Sequence, residues 1–368
     1  MNVEVSRVAN VAGDTQSRLA IADCDLHLGP RSLDDLRPFL STRVQSYIDT
    51  YGMAHRVGWQ NGEPAYPKSA PYAARRDAHP PNGSPPGTDL DFTRRQHLDA
   101  FNVQLGLVNP PLPSQNFMNP DLGNAMCRAL NEWQIEALVR PEPRLRASIV
   151  VNYEDPPAAV AEIERCAGIA GFGHILLMSR TTEPLGARRY ASILDAAAAA
   201  DIPVAMHAFG FGGHPSTSSG WPSFYIEDMV GHAQGFQAHL TSLVIQGTFQ
   251  RLPNLRFVMI EGGFGWMPSL CWRLDKLWRR LADETPHLTR LPSEYIREQV
   301  WLTTQPLEEP PDRAHLLDLV EWVGWDRLVF ASDYPHWDFD DPTQALPQIE
   351  PARRQQVFRD NAFALYRH

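Results

Sequence analysis

The chain has 368 residues and a formal net charge of −10, and 43% of its residues are hydrophobic. This length fits two ordinary domains or one large α/β barrel, with enough apolar residues for a sizeable core. The negative charge argues against a nucleic-acid partner, which would require a basic face. No apolar run approaches the roughly 20 residues of a membrane span, and the N-terminus lacks the apolar centre of a signal peptide. The composition therefore predicts a soluble, cytoplasmic protein.

The cysteines lie far apart in the sequence and form no Cys-x-x-Cys pair. Closely spaced thiolates are the usual signature of a thiolate zinc site, so such a site is not expected. We interpret all of them as reduced thiols of the core. They are Cys24, Cys127, Cys166 and Cys271.

Short apolar runs alternate along the chain with longer stretches of helical periodicity. Eight strands, each followed by a helix, predict a (β/α)8 TIM barrel. A doubly wound sheet is the alternative, but no glycine-rich phosphate loop follows the first strand. The predicted strands are Leu19–Asp25, Val103–Val108, Leu145–Val151, Phe172–Met178, Ile202–His207, Arg256–Glu261, Gln299–Thr303 and Arg327–Ser332. The predicted helices are Thr93–Asn102, Pro120–Leu138, Pro156–Ala167, Ala187–Ala200, Ile226–Gln250, Trp266–Leu281, Asp312–Val323 and Pro351–Tyr366.

Residues 51–90 interrupt this alternation with a segment that is rich in proline and glycine and has no clear period. The segment follows strand 1, at the end of the barrel where functional loops lie. Its aromatic residues, which include Tyr51, Trp59 and Tyr72, favour packing over the alternative of a disordered linker. We predict a single barrel domain over residues 1–368, with an irregular insertion that covers one side of the mouth.

Ionisable side chains stand at the C-terminal ends of four predicted strands, where the chemistry of a barrel takes place. Asp25 and His27 end strand 1, and His207 ends strand 5. Glu261 ends strand 6, and Asp333 follows strand 8. Each of them alone fits a local role such as a helix cap, but five such groups in a dry mouth would be costly without a cation. Nitrogen and oxygen ligands of this kind suit zinc, manganese or iron.

The segments that carry these residues resemble the amidohydrolase superfamily, in the branch related to aminocarboxymuconate-semialdehyde decarboxylase. They are DCDLH, PVAMH, FVMIEGGFGWMPSLCWRLDKLW and RLVFASDYPHWD, in this order along the chain. The resemblance implies a (β/α)8 barrel with a divalent metal at its mouth. By position, it implies that Asp25, His27, His207 and Asp333 are the metal ligands.

Glu261 departs from the family pattern, since many relatives carry a histidine at the end of strand 6. The resemblance implies a metal that acts as Lewis acid or generates hydroxide from water, with Asp333 as proton shuttle. Asp333 would take a proton from water in a hydrolase, and it would protonate the ring carbon in a nonoxidative decarboxylase. Glu261 would contact substrate or a second ion, and it can donate a proton only if its pKa is raised. The sequence leaves both reactions open, on a small organic acid, ester or amide.

Three further residues are candidates for substrate binding, each with a simpler alternative. His214 lies in a glycine-rich loop after strand 5, which fits a substrate lid or an ordinary surface loop. Arg180 follows strand 4 and fits a clamp for a substrate carboxylate or an exposed position. His336 lies in the turn after Asp333 and fits a substrate contact or a bond to the loop backbone.

His232 and His239 fall on one face of the predicted helix Ile226–Gln250. The simpler interpretation is a packing or subunit face whose histidines are satisfied. The alternative is that one of them joins Glu261 in holding a second metal. The resemblance supports this alternative, since a few members of the superfamily hold two metals and some of those use iron with oxygen.

Three functions therefore remain open from the sequence. The first is a metal-dependent hydrolase or nonoxidative decarboxylase with zinc, manganese or iron. The second is a two-metal enzyme with iron or manganese that uses oxygen. The third is a catalytically silent barrel that serves as a partner subunit. The resemblance alone implies a homodimer or a hetero-oligomer with a related barrel.

Overall fold

A computed structural model describes residues 19–54, 68–110, 117–209, 215 and 217–366 of the chain. Eight parallel strands form one sheet, and their spatial order is the order of the sequence. This order is the one expected of a TIM barrel, so the predicted fold class is confirmed. The strands are β1 (Ile21–Leu26), β2 (Val103–Val108), β3 (Leu145–Val150), β4 (Phe172–Met178), β5 (Val204–His207), β6 (Phe257–Ile260), β7 (Val300–Thr303) and β8 (Leu328–Val329).

The barrel closes between its first and last strands. The backbone N–H of Cys24 donates to the carbonyl of Phe330 at 2.9 Å. Leu26 forms a parallel bridge with Tyr334, just beyond β8. These contacts bring the C-terminal end of β1 beside the turn that follows β8, which places Asp25 and Asp333 on the same rim.

Helices cover the outside of the barrel, and each region of predicted helix is helical. The helices are α1 (Leu33–Leu36), α2 (Thr42–Tyr51), α3 (Leu90–Thr93), α4 (Pro120–Gln134), α5 (Pro156–Ala167), α6 (Ala191–Ala199), α7 (Tyr225–Ile245), α8 (Thr248–Arg251), α9 (Met267–Leu281), α10 (Pro292–Gln299), α11 (Arg313–Val323), α12 (Pro351–Gln355) and α13 (Asn361–Leu365). Five-residue π-helical segments continue α3, α4 and α12 at Arg94–Leu98, Ile135–Val139 and Gln356–Asp360.

The core fills the barrel and the space between the strands and the helices. Strands β5 and β6 are buried along their whole length, because parallel barrel strands are covered on both faces. All four cysteines are buried and reduced, as the sequence predicts. Within the described ranges, no helix combines the length and the apolar character needed to cross a bilayer.

The described part of the insertion packs on the turn that follows β8. The N–H of Arg75 donates to the carbonyl of Pro335 at 3.0 Å, and the N–H of Trp337 donates to the carbonyl of Ala73 at 2.7 Å. These bonds hold residues 73–75 of the insertion against the turn after β8, at the C-terminal ends of the strands. Residues 55–67 of the insertion lie outside the described residues.

Candidate metal centre

Four of the predicted site residues meet at the barrel mouth. Asp25, His27, His207 and Glu261 each offer one ligand atom, and these four atoms all lie within 4.8 Å of one another. The Nε2 atom of His207 lies 3.3 Å from Asp25 Oδ2 and 3.1 Å from Glu261 Oε2. The Nε2 atom of His27 lies 3.3 Å from Asp25 Oδ1. All four side chains are buried, and we call these four residues the ligand cluster.

Asp333 stands directly beside the ligand cluster. Its Oδ1 atom lies 2.9 Å from Nε2 of His27 and 2.7 Å from Nδ1 of His336. His336 also stacks on His27, with the ring centroids 4.1 Å apart. Asp333 takes part in two more groups of converging ligand atoms, one with His27 and His336 and one with Glu261 and Asp338.

The ligand cluster fits a divalent cation. Among the described residues, Asp25 Oδ2, His27 Nε2, His207 Nε2 and Glu261 Oε2 lie within ion-pair distance of one another or of Asp333 but form no well-aligned hydrogen bond, although all are buried. Buried polar atoms are normally bonded, and leaving one without a partner costs about 1–3 kcal/mol. One cation between them would satisfy all four atoms, and zinc, manganese and iron accept this mixture of imidazole nitrogen and carboxylate oxygen.

The charges in the ligand cluster are strongly coupled. Burial acts against an ionised Asp25, but the imidazoles of His27 and His207 hold its pKa well below the ordinary value. Burial also acts against a protonated His27, yet the carboxylates of Asp25 and Asp333 raise the pKa of His27 well above its ordinary value. The carboxylates therefore attract a positive charge, which the proton on His27 supplies here and which a bound cation would replace.

Two further carboxyl groups show a shortage of positive charge at the mouth. Burial, followed by the charges of Asp333, Asp338 and Asp25, raises the pKa of Glu261 well above its ordinary value. Burial and the charge of Asp333 also raise the pKa of Asp338 to about 8. A bound cation would reverse this tendency, because it would be the largest local charge in the site.

The backbone is strained at two site residues. Glu261 and Asp333, directly after β6 and shortly after β8, have φ angles of 62° and 61°. This left-handed conformation is uncommon for residues other than glycine, and it costs about 1–3 kcal/mol where the surrounding structure imposes it. Such strain is typical of functional sites, and the N–H of Glu261 is held by Thr303 Oγ1 at 3.1 Å.

A buried chain of polar groups supports Asp25 from inside the barrel. The amide of Asn109 donates from Nδ2 to Asp25 Oδ1 at 2.8 Å. The Oδ1 atom of Asn109 lies 2.8 Å from His174 Nε2, and the hydroxyl of Tyr366 lies 3.3 Å from His174 Nδ1. Burial lowers the pKa of His174 to about 3, so its imidazole is neutral. This series of polar groups holds Asp25 Oδ1 and leaves Asp25 Oδ2 facing the other residues of the ligand cluster.

A second support joins β1 to the turn that carries Asp333. Asp23 accepts hydrogen bonds from the backbone N–H of Ser332 at 2.9 Å and from its hydroxyl at 2.5 Å. Asp23 also lies 2.7 Å from Nε2 of the buried His97 and accepts from the backbone N–H of Asp25 at 3.3 Å. Neither support was predicted from the sequence. The available signal was a polar residue inside an apolar strand, such as His174 in FGHILLM.

Arg180 occupies a different environment from either predicted one. It is buried, and its Nη2 donates to both carboxylate oxygens of Asp228 at 2.7 Å. The prediction that Arg180 is exposed is therefore wrong. A carboxylate of the protein already pairs with the guanidinium, and the clamp for a substrate carboxylate stays a prediction.

The two histidines of the long helix differ from each other. In His239, Nδ1 accepts from the N–H of Leu185 at 3.1 Å and Nε2 lies 2.6 Å from the carbonyl of Ser179. Backbone groups thus satisfy His239, as the packing interpretation predicts. His232 is also buried, but it belongs to none of the converging ligand groups among the described residues. His214 lies outside the described residues.

Comparisons with known proteins agree with this architecture. A model of the amidohydrolase family matches residues 22–368. Gamma-resorcylate decarboxylase from Rhizobium radiobacter is 24% identical over 300 residues, which cover 76% of this chain and 88% of that relative. An amidohydrolase from Mycobacterium avium subsp. paratuberculosis K-10 has a similar structure, with a TM-score of 0.71 at 20% identity, over 96% of this chain and all of that chain.

A third similar protein is 5-carboxyvanillate decarboxylase from Novosphingobium aromaticivorans DSM 12444, solved with manganese and 4-hydroxy-3-methoxy-5-nitrobenzoic acid. Its TM-score is 0.70 at 18% identity, over 97% of this chain and 98% of that chain. The family model covers nearly the whole sequence, which confirms the resemblance identified in the sequence motifs. The chain therefore belongs to the amidohydrolase family.

Proposed function

We propose that this protein is a metal-dependent nonoxidative decarboxylase of a small organic acid, with an aromatic acid as the preferred class. The observation that carries the proposal is the ligand cluster, whose four buried ligand atoms lack hydrogen-bond partners among the described residues. Two of the compared relatives are decarboxylases of aromatic acids by name, and one of them was solved with manganese. A hydrolase acting on an ester or amide is the alternative reaction for the same site.

Asp25, His27, His207 and Asp333 would hold the metal, and Glu261 would be a further ligand or a substrate contact. Manganese, zinc and iron all suit this set of donors. A bound metal ion supplies Lewis acidity toward a carboxylate or carbonyl oxygen. The protein gathers those donors at a buried position at the ends of the strands.

We assign the proton transfer to Asp333. In the decarboxylation, a proton adds to the carbon that bears the carboxylate, the bond to that carboxylate breaks and carbon dioxide leaves. The electron pair of the broken bond remains on the organic product. Asp333 suits this role because His336 lies 2.7 Å from its Oδ1 atom and can replace the proton that it gives up.

A two-metal enzyme that uses oxygen is a second candidate. One observation favours it, since Glu261 and Asp333 converge with Asp338 in a further group of possible ligands. In this candidate, the second ion would be held by these three carboxylates. This candidate does not include His239, because backbone groups already contact both of its ring nitrogens.

Two measurements separate these candidates. The first is elemental analysis of protein purified without a chelator, and the second is an assay of carbon dioxide release from hydroxybenzoates. One manganese, zinc or iron ion per chain with release of carbon dioxide supports the decarboxylase. Turnover of esters or amides without that release supports the hydrolase. Two iron or manganese ions per chain support the second candidate. A folded protein without metal contradicts all of these and leaves the silent partner subunit.

We also propose that the chain forms a homodimer or a hetero-oligomer with a related barrel, and that it acts in the cytoplasm as a single domain. The family resemblance supports the assembly. Light scattering on the purified protein tests it, because a mass of one chain, 41.4 kDa, would contradict both forms of assembly.

A further inference from the structure

His232 is a buried imidazole that the metal centre does not use. It is 4% exposed, and neither Nδ1 nor Nε2 has a hydrogen-bond partner within the described part of the chain. Leaving buried polar atoms unbonded is costly, so this is a position at which a bound molecule would supply the missing bonds.

The face of α7 that carries His232 is fixed by contacts on both sides of it. One turn before it, Asp228 pairs with Arg180 after β4. One turn after it, the ring of Phe236 packs so closely on Gly262, the residue after Glu261, that an added Cβ would lie 2.5 Å from that ring. Residues spaced by four share a helix face, so His232 lies between these contacts, over the ends of β4 and β6.

A third contact places His232 over β5. Its ring meets the ring of Phe209, two residues after His207, with the centroids 4.2 Å apart and the planes at 62°. His232 is therefore adjacent to the ligand cluster, on the side formed by β4, β5 and β6. His239, two turns further along the same helix, differs because backbone groups contact both of its ring nitrogens.

At this position His232 offers one uncharged hydrogen-bond donor and one acceptor. The charge of Arg180 is already matched by Asp228, so a second carboxylate would gain little from the guanidinium. Burial, followed by the charge of Arg180, lowers the pKa of His232 to about 3, which leaves the imidazole neutral. A neutral imidazole has one N–H donor and one acceptor nitrogen. A hydroxyl group, which also donates and accepts, is its complement.

We propose that His232 forms a substrate subsite that binds a neutral hydroxyl group on an organic acid whose carboxylate faces the ligand cluster. This assignment rests on the proposed function and adds a determinant of specificity to it. The residues that define the subsite are His232, Phe209 and the Arg180–Asp228 pair.

The test compares the affinity of the manganese-loaded protein for benzoate and for the three monohydroxybenzoates by calorimetry. His232→Leu removes both hydrogen-bonding atoms and keeps the position apolar. We expect it to weaken binding of the best hydroxybenzoate by about three- to tenfold, to change benzoate binding less than twofold, and to leave the manganese content unchanged. His232→Asn, which keeps a donor and an acceptor, should restore part of the preference.

His239→Leu is the matched control, because it alters a buried histidine on the same helix face that has backbone partners. We expect it to lower the melting temperature without changing the ratio of the two affinities. Equal losses for benzoate and the hydroxybenzoate in His232→Leu, or no loss for either, would overturn the subsite. If the wild-type protein with manganese binds none of these acids, the proposed function fails, and this result is distinct from a subsite failure.

Discussion

At the scale of single residues, Asp333 combines three features that are each unusual for a carboxylate. It is fully buried, it has a left-handed backbone, and its Oδ1 atom lies between two imidazoles. Burial disfavours its charge, but His336 and His27 hold its pKa well below the ordinary value. Asp333 is therefore ionised, which suits a metal ligand, and in the proposed reaction its carboxylate passes a proton from His336 to the carbon.

Asp333→Asn keeps the size of the side chain and removes its charge. We expect decarboxylation to fall at least about 100-fold, because the amide cannot transfer the proton, while the fold is retained. Carbon dioxide release and circular dichroism measure the two effects. Asp341→Asn, outside the converging ligand groups, is the control, and unchanged turnover in Asp333→Asn would remove Asp333 from the mechanism.

Asn109 contacts the proposed metal site through Asp25. Asn109→Ala removes the donor to Asp25 Oδ1 and interrupts the buried chain that ends at Tyr366. Groups that orient metal ligands typically contribute 10–100-fold to metal affinity, so we expect a loss of about that size. Competition with a fluorescent chelator measures it. Asn124→Ala, which breaks a bond to Asp155 on the helical layer, should leave manganese affinity unchanged.

The supports of the site illustrate what the sequence could and could not predict. Asp25, His27, His207, Glu261 and Asp333 could be found because each stands at a strand end, and a barrel brings strand ends together. Their supports form through hydrogen bonds between segments far apart in the sequence, such as Asn109 with Asp25 and Ser332 with Asp23. The pairing of Asp23 with Ser332 depends on how β1 is aligned with the turn after β8. The spacing of apolar residues in the sequence does not reveal this alignment.

At the scale of elements, the periodicity of the sequence predicted where the strands and helices lie. The predicted and observed ends of some elements differ, and these differences have local causes. β8 was predicted over Arg327–Ser332 but ends at Val329. Beyond it, the N–H groups of Ala331 and Ser332 donate to side chains, Thr304 Oγ1 and Asp23 Oδ1, and no longer to a neighbouring strand. The helix predicted over Ile226–Gln250 ends at Ile245 because the chain turns at Gly247 before α8 begins.

Gly262 sets the distance between α7 and the end of β6. A Cβ at this position would lie 2.5 Å from Cδ1 of Phe236, so Gly262→Ala must displace the ring or the helix. We expect the free energy of unfolding to fall by about 1–3 kcal/mol, as overpacked cores do. Gly168→Ala is the control, since nothing lies within 4 Å of its added Cβ. Equal stability of the two variants, measured by urea denaturation, would contradict the close contact.

Glu142 joins the segment after α3 to the start of β3. Its carboxylate accepts from Arg144 Nη2 at 2.8 Å and from Arg94 Nε at 2.9 Å. Hydrogen bonds from Arg144 lower the pKa of Glu142 most strongly. Burial raises this pKa, but the hydrogen bond from Arg94 lowers it further, so the pKa falls from 4.5 to about 2. Because the folded pKa is the lower one, ionised Glu142 stabilises the fold above about pH 4.5, and this contribution disappears as the pH falls toward 2.

Glu142→Gln should therefore lower the free energy of unfolding by about 1–2 kcal/mol at pH 7, after allowance for solvent screening of the partly exposed arginines. At pH 3 the loss should be less than half as large. Urea denaturation at both pH values measures the difference. Glu136→Gln, which breaks an exposed pair with Arg140, is the control, and an equal loss at pH 7 and pH 3 would contradict the ionic origin.

At the scale of the whole molecule, the metal centre collects groups from both ends of the chain. Asp25 and His27 come from the first strand, and Asp333 follows the last one, so the site exists only when the barrel has closed. A cation bound there stabilises the folded chain and leaves the unfolded chain unaffected. Metal binding and barrel stability should therefore be linked.

This linkage predicts that protein treated with a chelator unfolds at a lower temperature than protein with manganese. At a free manganese concentration 100 times the dissociation constant, the stabilisation would be about 2.7 kcal/mol. Differential scanning calorimetry measures it as a rise in melting temperature with manganese concentration. His207→Ala removes one donor of the ligand cluster, so its melting temperature should rise much less and its manganese content should fall. An equal rise in the variant and in the wild type would show that manganese binds elsewhere, and the assignment of the ligand cluster would be wrong.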